Sequence, residues 1–468
     1  MQAHPQPYAS ACQFVQHFWR AADGDIGLLP KLRFSGAGQL PSTFDVSAFA
    51  AASVAAAGLA AASLVRTRSS AAAAPDVCVD QRLASFWFGL SVRPQGWTLP
   101  PIWDAVAGDY RARDGWIRLH TNAPHHRDAA MAVLQVAPQR EAVAQAVAQW
   151  DADHLESAVV ARGGCAGAMR SWRQWQAHPQ GQAVLAEPLL HWERGLPTTQ
   201  PAWSFQAARP LAGVRVLDMT RVLAGPVATR VLASLGAEVL RIDPPGWDEA
   251  VLEPEITAGK RCARLDLRAA SGRRQWETLL QQADVLVHGY RSDALEALGL
   301  GAQQRQQIRP GLVDVSLDAY GFTGPWKARR GFDSIVQMGM GFAEQGQRDA
   351  QSDRPVPLPV QALDHATGYL MACATLRALE QRLLDGRGSV VRASLARTGA
   401  LLMTAPRIDS RALQALAPET QEDWSPQTEQ TVWGPARRLR WPLQVQGVDA
   451  GWDGPAVPLG SSDPQWAA

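Results

Sequence analysis

A single carboxylate, Asp364, stands in Pro359-Val-Gln-Ala-Leu-Asp-His-Ala-Thr-Gly-Tyr-Leu-Met-Ala372, at the head of a long apolar stretch. Apolar residues recur there at helical spacing as far as Leu384, and the pattern stops at Asp385-Gly-Arg-Gly388. Asp364 is therefore expected at or next to a helix N-cap, where free backbone N–H groups and the helix dipole favour its ionised form. Two roles fit such a carboxylate. It can cap the helix and do nothing more, or it can attack an activated acyl group and divide one hard exchange into easier covalent steps. The five cysteines, Cys12, Cys78, Cys165, Cys262 and Cys373, are scattered and form no Cys-x-x-Cys pair. That argues against a zinc site or a disulfide framework, so no metal is expected and a reducing cytoplasm fits.

The elements around Asp364 read as alternating strands and helices, the pattern of βαβ units and a parallel sheet. Val214-Arg-Val-Leu-Asp218 is a strand, Pro226 marks the start of a helix that runs to about Leu235, and Gly236 ends it before the strand Ala237–Ile242. Ala283–Val287 and Leu312–Ser316 read as further strands. The turn Thr220–Pro226 lies between a strand and a helix N-terminus, where open α/β sheets bind anions, although it is not a G-x-G-x-x-G fingerprint. At 468 residues the chain is too long for one ordinary core, and two domains are expected. Charged residues are only 19% and the net charge is +1, so bulk electrostatics favour neither a nucleic-acid nor a membrane partner. The Ala-rich run from Ala48 to Val65 is weakly apolar and shorter than a span, and is expected to be a tightly packed buried helix. Met1–Tyr8 lacks the basic start and apolar core of a signal peptide, so the protein is expected to stay in the cytoplasm where it is made.

Further motifs lie in order between Arg209 and Gly388: Arg209–Pro226, Leu235–Asp243, Gly259-Lys-Arg261, Ala283–Arg291, Tyr320-Gly-Phe-Thr-Gly-Pro325, Gly331-Phe-Asp333 and Gly386-Arg-Gly388. In their order and spacing they resemble the class III CoA-transferases, the family of formyl-CoA and carnitine CoA-transferases and of the related α-methylacyl-CoA racemases. The resemblance implies that Asp364 is the catalytic nucleophile. It implies an acyl-CoA donor and a carboxylic acid acceptor, with coenzyme A as substrate and no permanently bound cofactor. It places CoA-binding positions at Leu223 and Ala224, at Leu265, Asp266, Leu267 and Arg268, at Gly289, Tyr290 and Arg291, and at Arg330, Gly331, Phe332 and Asp333. Formyl-CoA transferases have arginines where this chain has Pro244 and Ala297, so phosphate contacts are sought among Arg221, Arg241, Arg291, Arg329 and Arg330, with Arg291 and Arg330 first. The family's glycine run over the nucleophile has no match, Gly163-Gly164 being the nearest pair.

The N-terminal half resembles the back half of the same family. Phe44-Asp45 before the Ala-rich helix is similar to Leu363-Asp364 before its helix, and Tyr110–Leu119 is similar to the Asp-Gly-Trp strand of the family's small domain. The resemblance implies a rearranged tandem, with Asp45 read as a helix cap. The expected fold is α/β, with a C-terminal nucleotide-fold-like parallel sheet domain and an N-terminal α+β region like the small domain. The expected boundaries are 1–195 for that region, a linker at 196–208 within the turn-former-rich stretch from Glu193, a large domain at 209–422, and a Pro- and Trp-rich tail at 423–468. The family forms interlocked dimers, so the resemblance allows a homodimer. Two other readings are carried: an acyl-CoA racemase, which needs a second acid/base group opposite Asp364 where this chain has Phe332, and a non-catalytic CoA-binding assembly protein. His365 adjoins Asp364, but neighbours on a helix point about 100° apart, and a surface or capping role is expected for it.

Overall fold

The computed structural model describes residues 8–69, 73–199, 202–291, 293–409 and 414–467. Residues 1–7, read for a targeting signal, and residues 200 and 201 of the expected linker region lie outside the described residues.

Runs rich in branched side chains form strands because such side chains pack well on a pleated surface. The N-terminal region holds β1 (Leu32–Ser35), β2 (Val77–Asp80), β3 (Val92–Pro94), β4 (Gly108–Arg111), β5 (Trp116–Leu119) and β6 (Ala166–Ala168). The core sheet is built from β7 (His191–Pro197), β8 (Arg215–Met219), β9 (Glu238–Asp243), β10 (Lys260–Arg264), β11 (Val285–His288), β12 (Val313–Asp318) and β13 (Arg387–Ser394). Three strands complete the chain: β14 (Trp424–Thr431), β15 (Gly434–Leu439) and β16 (Leu443–Val445).

The core sheet has seven strands in the order β10-β9-β8-β11-β12-β13-β7. All neighbours are parallel except β7, which runs antiparallel to β13 at the edge. This is the doubly wound order, and it reverses between β8 and β11; ligands of such sheets sit beyond the carboxyl ends of the strands at that reversal. The α/β class and the parallel C-terminal sheet are as expected from the sequence. The first unit is also as read, with the helix Ala224–Ser234 after β8 and Gly236, at φ 102°, turning the chain into β9. Left-handed backbone there favours glycine, which has no Cβ to clash.

A smaller unit recurs. β1 and β2 are parallel and flank the helix Val46–Arg68, headed by Asp45; β12 and β13 are parallel and flank the helix Ala362–Asp385, which carries Asp364. The two helices pack along each other at the centre of the molecule, where Ser63 Oγ and Thr67 Oγ1 donate to Glu380 Oε1 at 2.9 and 2.6 Å. The Asp45 helix is long and apolar enough by composition to cross a membrane, yet its whole apolar window is buried in protein. Its small residues permit this: a Cβ on Gly58 would lie 2.5 Å from Leu443 and 2.8 Å from Val77. Overpacking of that kind costs about 1–3 kcal/mol.

A separate antiparallel sheet, β4-β5-β6, closes over its own core of Tyr110, Ile117, Leu119, Leu155 and Val159. Two boundary expectations need correction. The stretch from Glu193, read as part of a linker, continues β7, so its first residues are an edge strand of the core sheet. The segment after 423 is no appended tail: β15 pairs with β3, β16 pairs with β2, and Trp441 and Trp452 pack on Trp87. Both stretches are poor in periodic apolar residues because one lies at an exposed edge and the other is held through backbone pairing and indole rings.

Candidate active site

A cavity of about 780 Å³ opens at the reversal of strand order. Each wall segment comes after a strand: Arg221 to Ala224 after β8, Pro244, Pro245 and Trp247 after β9, Leu265 to Arg268 after β10, Gly289 to Arg291 after β11, and Ala319 after β12. Arg329 to Phe332, Asp364 and Leu395 complete that side, and His125 and His126 enter from the N-terminal region. Of the site residues read from the sequence, all line this one cavity except Asp333, which is buried beneath it.

The β8 turn is held in an unusual conformation. Val222 has φ 62°, which is rare for a β-branched residue. Its N–H donates to Glu249 Oε1 at 2.6 Å. Arg221 lies between two rings, 4.4 Å from the Trp247 centroid and 5.0 Å from that of Tyr290. The next helix, Ala224–Ser234, has no side-chain cap among the described residues, and Leu223 and Ala224 at its start line the cavity. An uncapped helix N-terminus offers N–H donors and a positive dipole end to an anion.

The cations differ in their availability. Arg330 makes no ion pair with a described residue, and burial together with nearby Arg291 lowers its pKa. Arg291 is 3.4 Å from Asp293. Arg329 is bound to Glu156 at 3.0 Å and lies over Trp326, so it ties the N-terminal region to the cavity wall. Arg241, one of the phosphate candidates, is a correction: it is fully buried and paired with Asp243 and Glu249 at 2.8 and 2.7 Å, away from the cavity. Gly163, the nearest glycine to a covering loop, does approach this region, since a Cβ there would lie 3.7 Å from Arg330.

Asp364 is the third residue of its helix, three positions past the N-cap Gln361 and so inside the expected cap position. The capping is done by another residue. Asp333 Oδ2 accepts from the N–H groups of Leu363 and Asp364 at 2.8 and 2.9 Å, and the Asp333 carboxylate also accepts from the Gln337 amide. Burial pushes Asp333 up to about 6. Burial, and then the neighbouring Asp333 charge, raises Asp364 well above the usual carboxylate range. This corrects the expectation of a carboxylate held ionised by its own helix, because the terminal N–H groups face Asp333 and desolvation dominates.

Phe332, in the cavity wall, packs against two imidazoles. His120 stacks on it at 3.9 Å between centroids, and His126 meets it edge-on at 5.8 Å. Both are buried, and burial pushes each down to about 3, so both are neutral. Nδ1 of each has no hydrogen-bond partner among the described residues. Sequence reasoning missed them. The available signal was Pro124-His-His126 at the first turn of a helix just after the Asp-Gly-Trp strand. His365 is also corrected: it is 1% exposed and stacks on Phe88 at 5.1 Å, neither a surface nor a capping residue. Asp45 does cap its helix, accepting from the Ala48 N–H at 3.1 Å. Among the described residues no group of His, Cys, Asp or Glu is placed to hold a metal.

Residues 211–431, which contribute nearly all of this cavity wall, match the model of CoA-transferase family III. That segment of the chain is similar to the CoA-transferases of family III. A probable fatty acyl-CoA transferase of Mycobacterium tuberculosis is 34% identical over 214 residues, covering 43% of this chain and 52% of that protein. The mouse succinyl-CoA:glutarate CoA-transferase is 34% identical over 216 residues, covering 43% of this chain and 49% of that protein. The orthorhombic crystal structure of the mycobacterial protein is 33% identical, with a TM-score of 0.38, covering 42% of this chain and 57% of that one. The chain spans about half the length of the curated relatives it matches. The matched segment contains Asp364 and every CoA-binding position inferred from the resemblance; His125 and His126 lie outside it.

Proposed function

We propose that the protein is a cytoplasmic CoA-transferase that moves CoA from an acyl-CoA donor to a carboxylic acid through a thioester on Asp364. The observation that carries this reading is the placement of Asp364 in the same cavity as an uncapped helix N-terminus and the cations Arg221, Arg268, Arg291 and Arg330. The names of the curated relatives, an acyl-CoA transferase and a succinyl-CoA:glutarate CoA-transferase, support the reaction class.

The chemistry balances without an oxidant or metal. The Asp364 carboxylate adds to the thioester carbonyl and expels CoA as a thiolate, leaving a mixed anhydride. The thiolate adds to the Asp364 carbonyl of that anhydride and releases the donor acid, leaving an aspartyl-CoA thioester. The acceptor carboxylate attacks this thioester, expelling the thiolate and forming a second anhydride. The thiolate then takes the acceptor acyl group and frees Asp364. Each addition places negative charge on an oxygen, which fixed N–H donors in a dry cavity stabilise. Asp364 must first lose its proton, and the raised pKa makes that loss part of the catalytic cost.

Incubation with a panel of acyl-CoAs, trapping with hydroxylamine and peptide mass spectrometry test the reading. A hydroxamate or CoA adduct on the Asp364 peptide, absent in Asp364→Asn, is expected; CoA binding with no adduct across the panel would refute it in favour of a racemase or a non-catalytic CoA-binding role. One observation favours a second reading. His126 brings an imidazole into the cavity of Asp364, supplying the second acid/base group that racemisation requires and that Phe332 cannot. Incorporation of solvent deuterium next to the thioester, without transfer to an acceptor, would decide for it.

A further inference from the structure

We infer that Glu249, a residue outside the cavity wall, is the positioning residue that holds the β8 turn in its CoA-binding shape. The inference rests on the reading that this cavity takes CoA.

Glu249 is 8% exposed and satisfies three donors at once. Its Oε1 accepts from the Val222 N–H at 2.6 Å and from Trp247 Nε1 at 2.8 Å, and its Oε2 accepts from Arg241 Nη2 at 2.7 Å. Arg241 is itself anchored on Asp243 through Nε at 2.8 Å and Nη2 at 3.1 Å. One buried carboxylate thus joins the ends of β8 and β9 across the mouth of the site. Val222 needs such a tie. A valine at φ 62° is strained, and strain of this kind persists only where the surroundings over-determine it. On its C-terminal side the strained residue fixes where the uncapped helix begins, at Leu223 and Ala224. On its N-terminal side it directs Arg221 into the slot between Trp247 and Tyr290, and Glu249 fixes the Trp247 side of that slot. Three donors converge on the Glu249 carboxylate, and one of them is the N–H of the left-handed valine.

The rescue of one substitution by another tests this. Glu249→Asp keeps a charge beside Arg241 but withdraws the acceptor from the Val222 N–H, and Glu249→Gln keeps the shape without the charge. Val222→Gly removes the strain, so the turn no longer needs the tie. CoA binding is measured by calorimetry, with thermal melts as the check on folding. The unmodified protein is expected to bind CoA. Each Glu249 variant is expected to bind about tenfold more weakly. Adding Val222→Gly to either is expected to restore binding to within about threefold of the unmodified protein while leaving the melt of the Glu249 variant in place. Glu249→Asp keeps the ion pair and serves should Glu249→Gln fail to fold. If the Glu249 variants bind CoA as the unmodified protein does, or Val222→Gly rescues neither, the inference is overturned. Failure of the unmodified protein to bind CoA would instead refute the functional reading.

Discussion

Two aspartates head two long buried helices in this chain, and they do different work. Asp45 caps its own helix by accepting from Ala48, and the space beside it is only about 190 Å³, partly filled by Ser10, Gln13, Phe14 and His17 of the helix Ala9–Ala21. Asp364 is the third residue of its helix, beside a cavity of about 780 Å³, and Asp333 takes the terminal N–H groups in its place. A carboxylate that caps is already committed, since its lone pairs are engaged by the backbone. Handing the cap to a second carboxylate frees the first, and the charge of the substitute raises the pKa of the residue it frees. The contrast separates a structural aspartate from a reactive one on the same local scaffold.

The largest expected effect tests that division directly. Asp364→Asn is expected to lower transfer by about 10⁴-fold or more, the scale seen when a covalent nucleophile is removed, while Asp45→Asn stays within about twofold, both read from initial rates. Next is the substitute cap. Asp333→Asn keeps an acceptor for Leu363 and Asp364 but removes the charge, so the Asp364 pKa should fall and the acid limb of the pH–rate profile should move to lower pH. An unmoved limb would show that the Asp333 charge does not act on Asp364.

A smaller effect concerns stability. A carboxyl whose folded pKa is raised keeps a proton that the unfolded chain has already lost, so stability falls as pH rises from the unfolded value toward the folded one. Asp364→Asn removes that loss. Its thermal midpoint is expected to exceed that of the unmodified protein at pH 8, and the difference should shrink toward pH 4. The smallest effect is at the other helix, where Asp45→Ala is expected to cost about 1 kcal/mol in chemical denaturation, the usual worth of an N-cap.

The local half of this arrangement was legible in the sequence. Val214–Asp218, Pro226 and Gly236 mark a strand, a helix and its end through short-range chemistry, and the resemblance carried along Arg209 to Gly388 marked out a part of the cavity wall. The features that escaped depend on distant partners. Asp333 caps a helix that begins about thirty residues later, as its 31-residue separation from Asp364 shows. His120 and His126 reach Phe332 from another part of the chain, and no periodicity records that encounter. Arg241 read as a phosphate ligand because nothing local announces burial against Glu249. His365 read as a surface residue because its neighbour Phe88 comes from the N-terminal region.

The pairing of β2 with β16 and of β3 with β15 also sets an order of events. Trp87 donates to the Arg440 carbonyl, 353 residues further along the chain. During synthesis the first strands and the Ala-rich Asp45 helix must therefore wait with open edges and apolar faces until the final segment leaves the ribosome. Closing such distant contacts is slow, and waiting edges are where chains associate wrongly. Yield of this protein should therefore depend on how well its early half is sheltered while the late half is made.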